Sequence, residues 1–183
     1  CLHQHNFKRL VVVVGYLEQG IRDLLDKIAG SLTVEYIVSE QFKTTNNIYS
    51  LWLAREIIQE PFVLIESDLI FTPPLLEDML LPDRIVISHI LPWMNGSTVS
   101  ISASSPHHVT DLHINPNQNI DGITYKTVNI YSLSRQSWNS ITRRLDFYIS
   151  AGKVNVYYEL VFAEMIADGS LDLECVFFDK AFW

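Results

Sequence analysis

Between Leu10 and Ile65, three apolar runs alternate with two helical periods across short polar breaks, and few chain architectures accommodate that pattern. Leu10-Val11-Val12-Val13-Val14 is a β-branched run ended by Gly15, which reads as a buried strand. Ile21, Leu24, Leu25 and Ile28 recur at helical spacing, with Gly30 placed to stop the helix. Thr33 to Val38 is a second strand, followed by the polar loop Ser39 to Thr45. Ile48, Leu51, Ala54 and Ile58 mark a second helix, which Thr45, Asn46 or Asn47 can cap. Phe62 to Ile65 is the third strand, and Thr72-Pro73-Pro74 opens a short helix. Strands separated by single helices imply right-handed crossovers and a parallel sheet covered on both faces. The expected fold is therefore α/β: a Rossmann-like, mostly parallel mixed sheet with helices on both faces.

After Leu81 the pattern changes. Arg84 to Ser88, Thr98 to Ile101 and Lys126 to Leu133 read as strands joined by polar turns. Ser104 to Asn119 holds His107, His108 and His113 without a regular period and is expected to be a surface excursion. Trp138, Ile141, Leu145, Tyr148 and Ile149 mark one helix, and Tyr157, Leu160, Val161 and Met165 another. Leu171 to Phe178 is expected as a last strand. No linker or repeat divides the chain, so residues 1–183 are expected to form a single domain.

Hydrophobic residues make up 48% of the sequence, which excludes a disordered chain. A net charge of −8 without a Lys/Arg cluster argues against a nucleic-acid partner, which needs a basic face. The longest apolar stretch is far short of the roughly 20 residues of a membrane span, and nothing resembles a signal peptide. Cys1 and Cys175 make neither a disulfide framework nor a thiolate metal site. A cytoplasmic protein with no membrane span is expected.

Four segments have chemical potential. Glu66-Ser67-Asp68 follows the third strand, and ligands of open α/β sheets bind beyond the carboxyl ends of strands. Asp68 there either holds a divalent cation such as Mg²⁺, which needs one or two carboxylates, or caps the turn before Leu69. The polar cluster from Thr44 to Ser50 opens a helix, whose free N–H groups and Asn amides suit either capping or a nucleotide. Lys126 begins a strand, where its ammonium either reaches a phosphate or is a solvated edge residue. Glu159 lies at a helix start, where it binds a cation or complements the helix dipole. The three histidines lack zinc-site spacing.

The order of these segments resembles one family. Gly15-Tyr16, Thr45-Asn46-Asn47-Ile48-Tyr49-Ser50-Leu51, Glu66-Ser67-Asp68, Met94-Asn95-Gly96-Ser97, Tyr125-Lys126-Thr127-Val128-Asn129-Ile130-Tyr131 and Asn155-Val156-Tyr157-Tyr158-Glu159 follow one another along the chain. In that order they look like the sugar-nucleotidyltransferase-like cytidylyltransferases, above all those acting on phosphocholine or 2-aminoethylphosphonate. The resemblance implies an enzyme transferring CMP from CTP to a phosphorylated or phosphonate amino-alcohol, with Mg²⁺ as cofactor and release of pyrophosphate. It implies Asp68 as metal ligand and catalytic residue, and Lys126 as the catalytic cation near the phosphates. Thr45, Asn46, Asn47 and Ser50 are implied to bind the nucleotide; Glu159, Tyr131 and Trp93 are implied to face the acceptor.

The resemblance also implies a Gly-rich triphosphate loop and a second metal-binding Asp, and neither lies within residues 1–183. The chain is thus expected to be one nucleotidyltransferase domain lacking those pieces, within a larger fused polypeptide or a homodimer. Alternatives are a sugar-1-phosphate nucleotidyltransferase, a GT-A-type glycosyltransferase, whose acid-x-Asp also follows a strand, and a non-catalytic nucleotide-binding fragment.

Overall fold

The computed structural model describes residues 1–114 and 124–178. The end of the Ser104–Asn119 segment lies outside the described residues. The chain falls into two compact units, Cys1–Gln59 with Arg144–Tyr158, and Glu60–Arg143 with Glu159–Trp183. Each unit is assembled from separate stretches of chain, so no linker composition marks their boundary.

In the first unit, a short 3-10 turn at Leu2–His5 precedes β1 (Arg9–Val14). Strand β1 pairs in parallel with β2 (Thr33–Val38), from Arg9↔Thr33 to Val14↔Val38, and α1 (Glu18–Ile28) is the crossover. Gly30 has φ 61, the left-handed value expected just past a helix end. Helix α2 (Asn47–Ala54) buries Ile48, Leu51 and Ala54. It stops before Ile58: Arg55 N–H donates to Trp52 O and Ile57 N–H to Ala54 O, the three-residue spacing of a tighter turn. Trp52 Nε1 donates to Asp146 Oδ1 at 2.8 Å, and the Arg55 guanidinium lies 3.7 Å over the Trp52 ring.

The second unit is built on a mixed sheet of β3 (Phe62–Ile65), β4 (Arg84–Ser88), β5 (Thr98–Ile101), β6 (Val109–His113), β7 (Thr124–Leu133) and β8 (Glu174–Phe177). Strand order is β6-β5-β7-β4-β8, with β3 also pairing with β7. Strands β4 and β8 run parallel, whereas β7 is antiparallel to β3, β4 and β5. The helical alternation ceases after Leu81, and strands without a crossover helix between them join most simply as antiparallel neighbours. Strand β6 occupies part of the segment expected to be irregular: Val109 and Leu112 are buried while Thr110 and Asp111 are exposed, which breaks the two-residue alternation that would mark it.

Helix α3 (Leu75–Asp78) starts where Leu75 N–H donates to Thr72 O. Leu75 and Met79 pack with Val86, Val128 and Ile130 in a buried cluster flanked by Val63, Ile65 and Leu69. Phe62 meets Trp138 of α4 (Arg135–Ser150) edge-on at 5.0 Å, and Tyr131 meets Phe162 of α5 (Tyr158–Ala167) at 5.1 Å. No helix of the described residues is long and apolar enough to cross a membrane.

Candidate functional site

In the first unit, the polar cluster at the start of α2 is organised by its acceptor atoms. Asn46 is the N-cap, its Oδ1 accepting the N–H of Asn47 at 2.8 Å. Its own N–H donates to Val154 O at 2.9 Å. Asn47 Oδ1 accepts the N–H of Tyr158 at 2.9 Å. Thr45 Oγ1 donates to Gln41 O at 2.9 Å. Ser50 is half-buried within α2. Gly15 closes β1 against Phe42: a Cβ at position 15 would lie 2.7 Å from Phe42 Cβ, so only glycine allows this approach.

In the second unit, β3 ends at Ile65 and the chain passes through half-buried Glu66 into a turn at Ser67-Asp68, both exposed. No described residue pairs with the Asp68 carboxylate, and it projects to solvent just past the carboxyl end of β3. Glu66 is held differently: its Oε2 accepts Asn129 Nδ2 at 3.0 Å.

Lys126 lies on β7 opposite Ser88 of β4 and Thr98 of β5, and only 6% of it is exposed. Its Nζ donates to Thr127 O at 2.9 Å and to Ser97 O at 3.1 Å. Burial lowers its pKa to about 8, against the opposing pull of Glu159 and Glu66. Gly96, at φ 93, passes so close that a Cβ there would sit 3.4 Å from Lys126 Nζ. Glu159, in the first turn of α5, is buried. Tyr131 is fully buried, and burial together with the nearby Glu159 and Glu66 carboxylates pushes its hydroxyl pKa well up.

The structure thus brings Lys126, Glu159 and Tyr131 into one electrostatic group with Glu66. Asp68 follows that group two residues on. Trp93 stands on an exposed turn, 63% accessible, and no described contact joins it to the group. Tyr131 presents its ring to Phe162, which makes it a wall of the core rather than an open aromatic face.

Chemically, one buried ammonium can neutralise phosphate charge, and carboxylates in excess of it can accept a cationic group. No three-donor metal cluster exists among the described residues. The histidines are engaged locally: His108 Nδ1 lies 3.0 Å from Asp172 Oδ1, and His113 Nε2 is 2.8 Å from Ser100 Oγ.

Ser97, Thr127 and Asn129 lie in segments that carry the resemblance, but no individual role is implied for them there. Thr127 Oγ1 donates to Asn129 Oδ1 at 2.8 Å and lies 3.0 Å from Ser97 O. The available signal was two polar residues at alternate positions of an apolar strand, which must find partners when buried.

No protein-family model matches the chain. The CMP-5'-(3-aminopropyl)phosphonate synthase of Streptomyces rubellomurinus (strain ATCC 31215) is 36% identical over 70 residues, which are 38% of this chain and 11% of that protein. Among solved structures, the CTP:phosphocholine cytidylyltransferase from Streptococcus pneumoniae superposes with a TM-score of 0.80 at 16% identity, over 98% of this chain and 74% of that one. The inositol-1-phosphate CTP transferase from T. maritima does so with a TM-score of 0.72 at 18% identity, over 100% of this chain and 71% of that one. A UDP-glucose pyrophosphorylase gives 0.66 at 12% identity, over 94% and 73%. The structural neighbours are nucleotidyltransferases, and the α/β fold with a mixed sheet flanked by helices is theirs.

Proposed function

We propose that this chain is the nucleotidyltransferase domain of an enzyme that moves CMP from CTP onto a phosphorylated or phosphonate amino-alcohol, such as phosphocholine or 2-aminoethylphosphonate. The observation that carries this reading is the buried Lys126 ammonium held beside Glu66 and Glu159, where β3 gives way to Ser67-Asp68. The curated relative's CMP-phosphonate product supports cytidine and a phosphonate acceptor over other pairings.

In the reaction, an acceptor oxygen attacks the α-phosphorus of CTP in line; the new P–O bond forms as the bond to the β-phosphate oxygen breaks, and pyrophosphate leaves. Lys126 offsets the negative charge that builds on the phosphate oxygens. Glu159 offers a carboxylate to the amine or quaternary ammonium of the acceptor. In the first unit, Asn46 donates from its amide to nucleotide acceptors, beside Thr45, Asn47 and Ser50.

Mg²⁺ fits Asp68 chemically. An exposed carboxylate with no described partner suits a hard cation that takes one or two carboxylates and completes its shell with water and phosphate oxygens. Bound there, Mg²⁺ would supply charge neutralisation to the phosphates. A cytoplasmic location and membership of a longer polypeptide or a homodimer accompany this reading.

A sugar or inositol phosphate acceptor is the second reading, favoured by the fold shared with the inositol-1-phosphate CTP transferase. The test is a panel of nucleoside triphosphates against phosphocholine, 2-aminoethylphosphonate and sugar 1-phosphates, assayed for pyrophosphate. Release with CTP and an amine-bearing acceptor supports the proposal. Release only with sugar phosphates transfers support to the second reading, and no release with any pair refutes both.

A further inference from the structure

Strand β7 contains an irregularity that bears on the Glu66-Ser67-Asp68 turn. Ile85 of β4 pairs with Tyr131 and Ile87 with Thr127, so three residues of β7, Val128 to Ile130, span the place of the single residue Val86. Within this bulge Asn129 has φ 56. The left-handed region is costly for most side chains, and Asn tolerates it better than others. Among the described residues with positive φ, Asn129 is the non-glycine residue lying inside a strand.

The bulge falls where β7 exchanges neighbours. Strand β5 pairs with Thr124 to Lys126, and β3 pairs with Ile130 to Leu133, leaving residues 127–129 between them. There the Asn129 amide uses both of its ends. Nδ2 donates to Glu66 Oε2 at 3.0 Å, and Oδ1 accepts Thr127 Oγ1 at 2.8 Å. Thr127 Oγ1 in turn lies 3.0 Å from Ser97 O and 3.4 Å from Lys126 Nζ. A continuous polar chain therefore runs from Lys126 to Glu66, two residues before Asp68.

We propose that Asn129 is a positioning residue: its strained, bulge-borne amide clamps Glu66 and thereby sets where the Ser67-Asp68 turn presents the Asp68 carboxylate. The inference rests on the proposed role of Asp68 toward a divalent cation. Asn is the residue type that meets all three demands at position 129, namely left-handed backbone, a donor toward Glu66 and an acceptor toward Thr127. Asp keeps the backbone and the acceptor but sets a second carboxylate against Glu66. Gly keeps the backbone and loses both hydrogen bonds.

The test uses the full-length protein and Mn²⁺ as probe, with binding read by electron paramagnetic resonance in the presence of CTP, so that turnover is not needed. Asn129→Asp and Asn129→Gly are expected to weaken Mn²⁺ binding about 10- to 100-fold, the range typical of partners that orient metal ligands. The exchanged pair Glu66→Gln/Asn129→Asp restores a donor facing an acceptor and keeps the pair's net charge, so it is expected to recover binding to within a few-fold of the wild type. Thermal melting identifies any variant that is unfolded rather than misaligned, and the comparison between Asn129→Asp and the exchanged pair is made at matched stability.

Asp68→Asn separates the two levels of the claim. If it abolishes Mn²⁺ binding while both Asn129 variants bind normally, Asn129 does not position the turn and the inference alone is overturned. An Asp68→Asn protein that binds Mn²⁺ as tightly as the wild type overturns the metal role of Asp68, and the inference with it. Weak binding by the exchanged pair, equal to Asn129→Asp, also contradicts the clamp.

Discussion

Lys126 Nζ donates to the backbone carbonyl of Ser97 at 3.1 Å, tying a buried ammonium on β7 to the residue that leads into β5. Main-chain carbonyls of Ser97 and Thr127 thus accept from the cation, with Thr127 Oγ1 also 3.4 Å away. Burial nevertheless disfavours its charge, which is why its pKa falls to about 8 from an ordinary 10.5.

A pH dependence follows for both activity and stability. If the charged form serves the phosphates, turnover declines as pH rises through about 8, and Lys126→Arg, which stays charged, removes that alkaline limb. Lys126→Met lowers kcat about 100-fold, the usual loss when one charge-stabilising group is removed. For stability, Lys126 is protonated in both the folded and unfolded chain below pH 8 and contributes no slope. Between about 8 and 10.5 the unfolded chain keeps the proton that the folded chain has released, so stability rises with pH in that window. Denaturant titrations across it are expected to show that slope in the wild type and not in Lys126→Met.

Asp68→Asn is expected to reduce kcat/KM by at least about 100-fold, roughly 3 kcal/mol of transition-state stabilisation. Its exposed position predicts an unchanged melting temperature. Steady-state kinetics over a Mg²⁺ series checks the first statement, and calorimetry the second. Near-normal turnover at saturating Mg²⁺ contradicts the metal assignment.

Asn47 separates structure from ligand binding within the first unit. Its Oδ1 accepts the N–H of buried Tyr158, so Asn47→Leu removes that acceptor and is expected to cost about 1–3 kcal/mol. Asn47→Asp keeps the acceptor and is expected to melt close to the wild type. If the amide also serves the nucleotide, Asn47→Asp still loses CTP affinity, which isothermal titration measures.

Gly15→Ala places a methyl 2.7 Å from Phe42 Cβ, a rigid position that rotation of the ring does not relieve. Destabilisation of about 1–3 kcal/mol is expected, as for an overpacked contact. The double variant Gly15→Ala/Phe42→Gly is expected to recover most of it in thermal melts.

Much of the fold was legible because its early strands are short apolar runs, several of them β-branched, set between polar or turn-forming residues. Thr33–Val38, Phe62–Ile65, Arg84–Ser88 and Thr98–Ile101 read from the sequence with the boundaries the structure has. Strand β6 was not legible, since Thr110 and Asp111 are exposed in succession and its identity comes from pairing with β5. The antiparallel setting of β7 follows from connections rather than from its own residues. Around the candidate site, Lys126 and Glu159 stood out by type and place. Asn129 did not, because its importance comes from a left-handed backbone and a partner, Glu66, 63 residues away. Tyr131 and Trp93 show the opposite limit: aromatic character alone does not tell a buried wall from an exposed turn.

The central claim is that a phosphorus–oxygen bond forms at the α-phosphate of CTP. ³¹P NMR of the full-length protein with CTP, Mg²⁺ and 2-aminoethylphosphonate or phosphocholine reads this directly. The signals of pyrophosphate and of a CMP adduct of the acceptor are expected to grow in equal amounts. Release of cytidine diphosphate, or CTP left intact beside every acceptor, would contradict it.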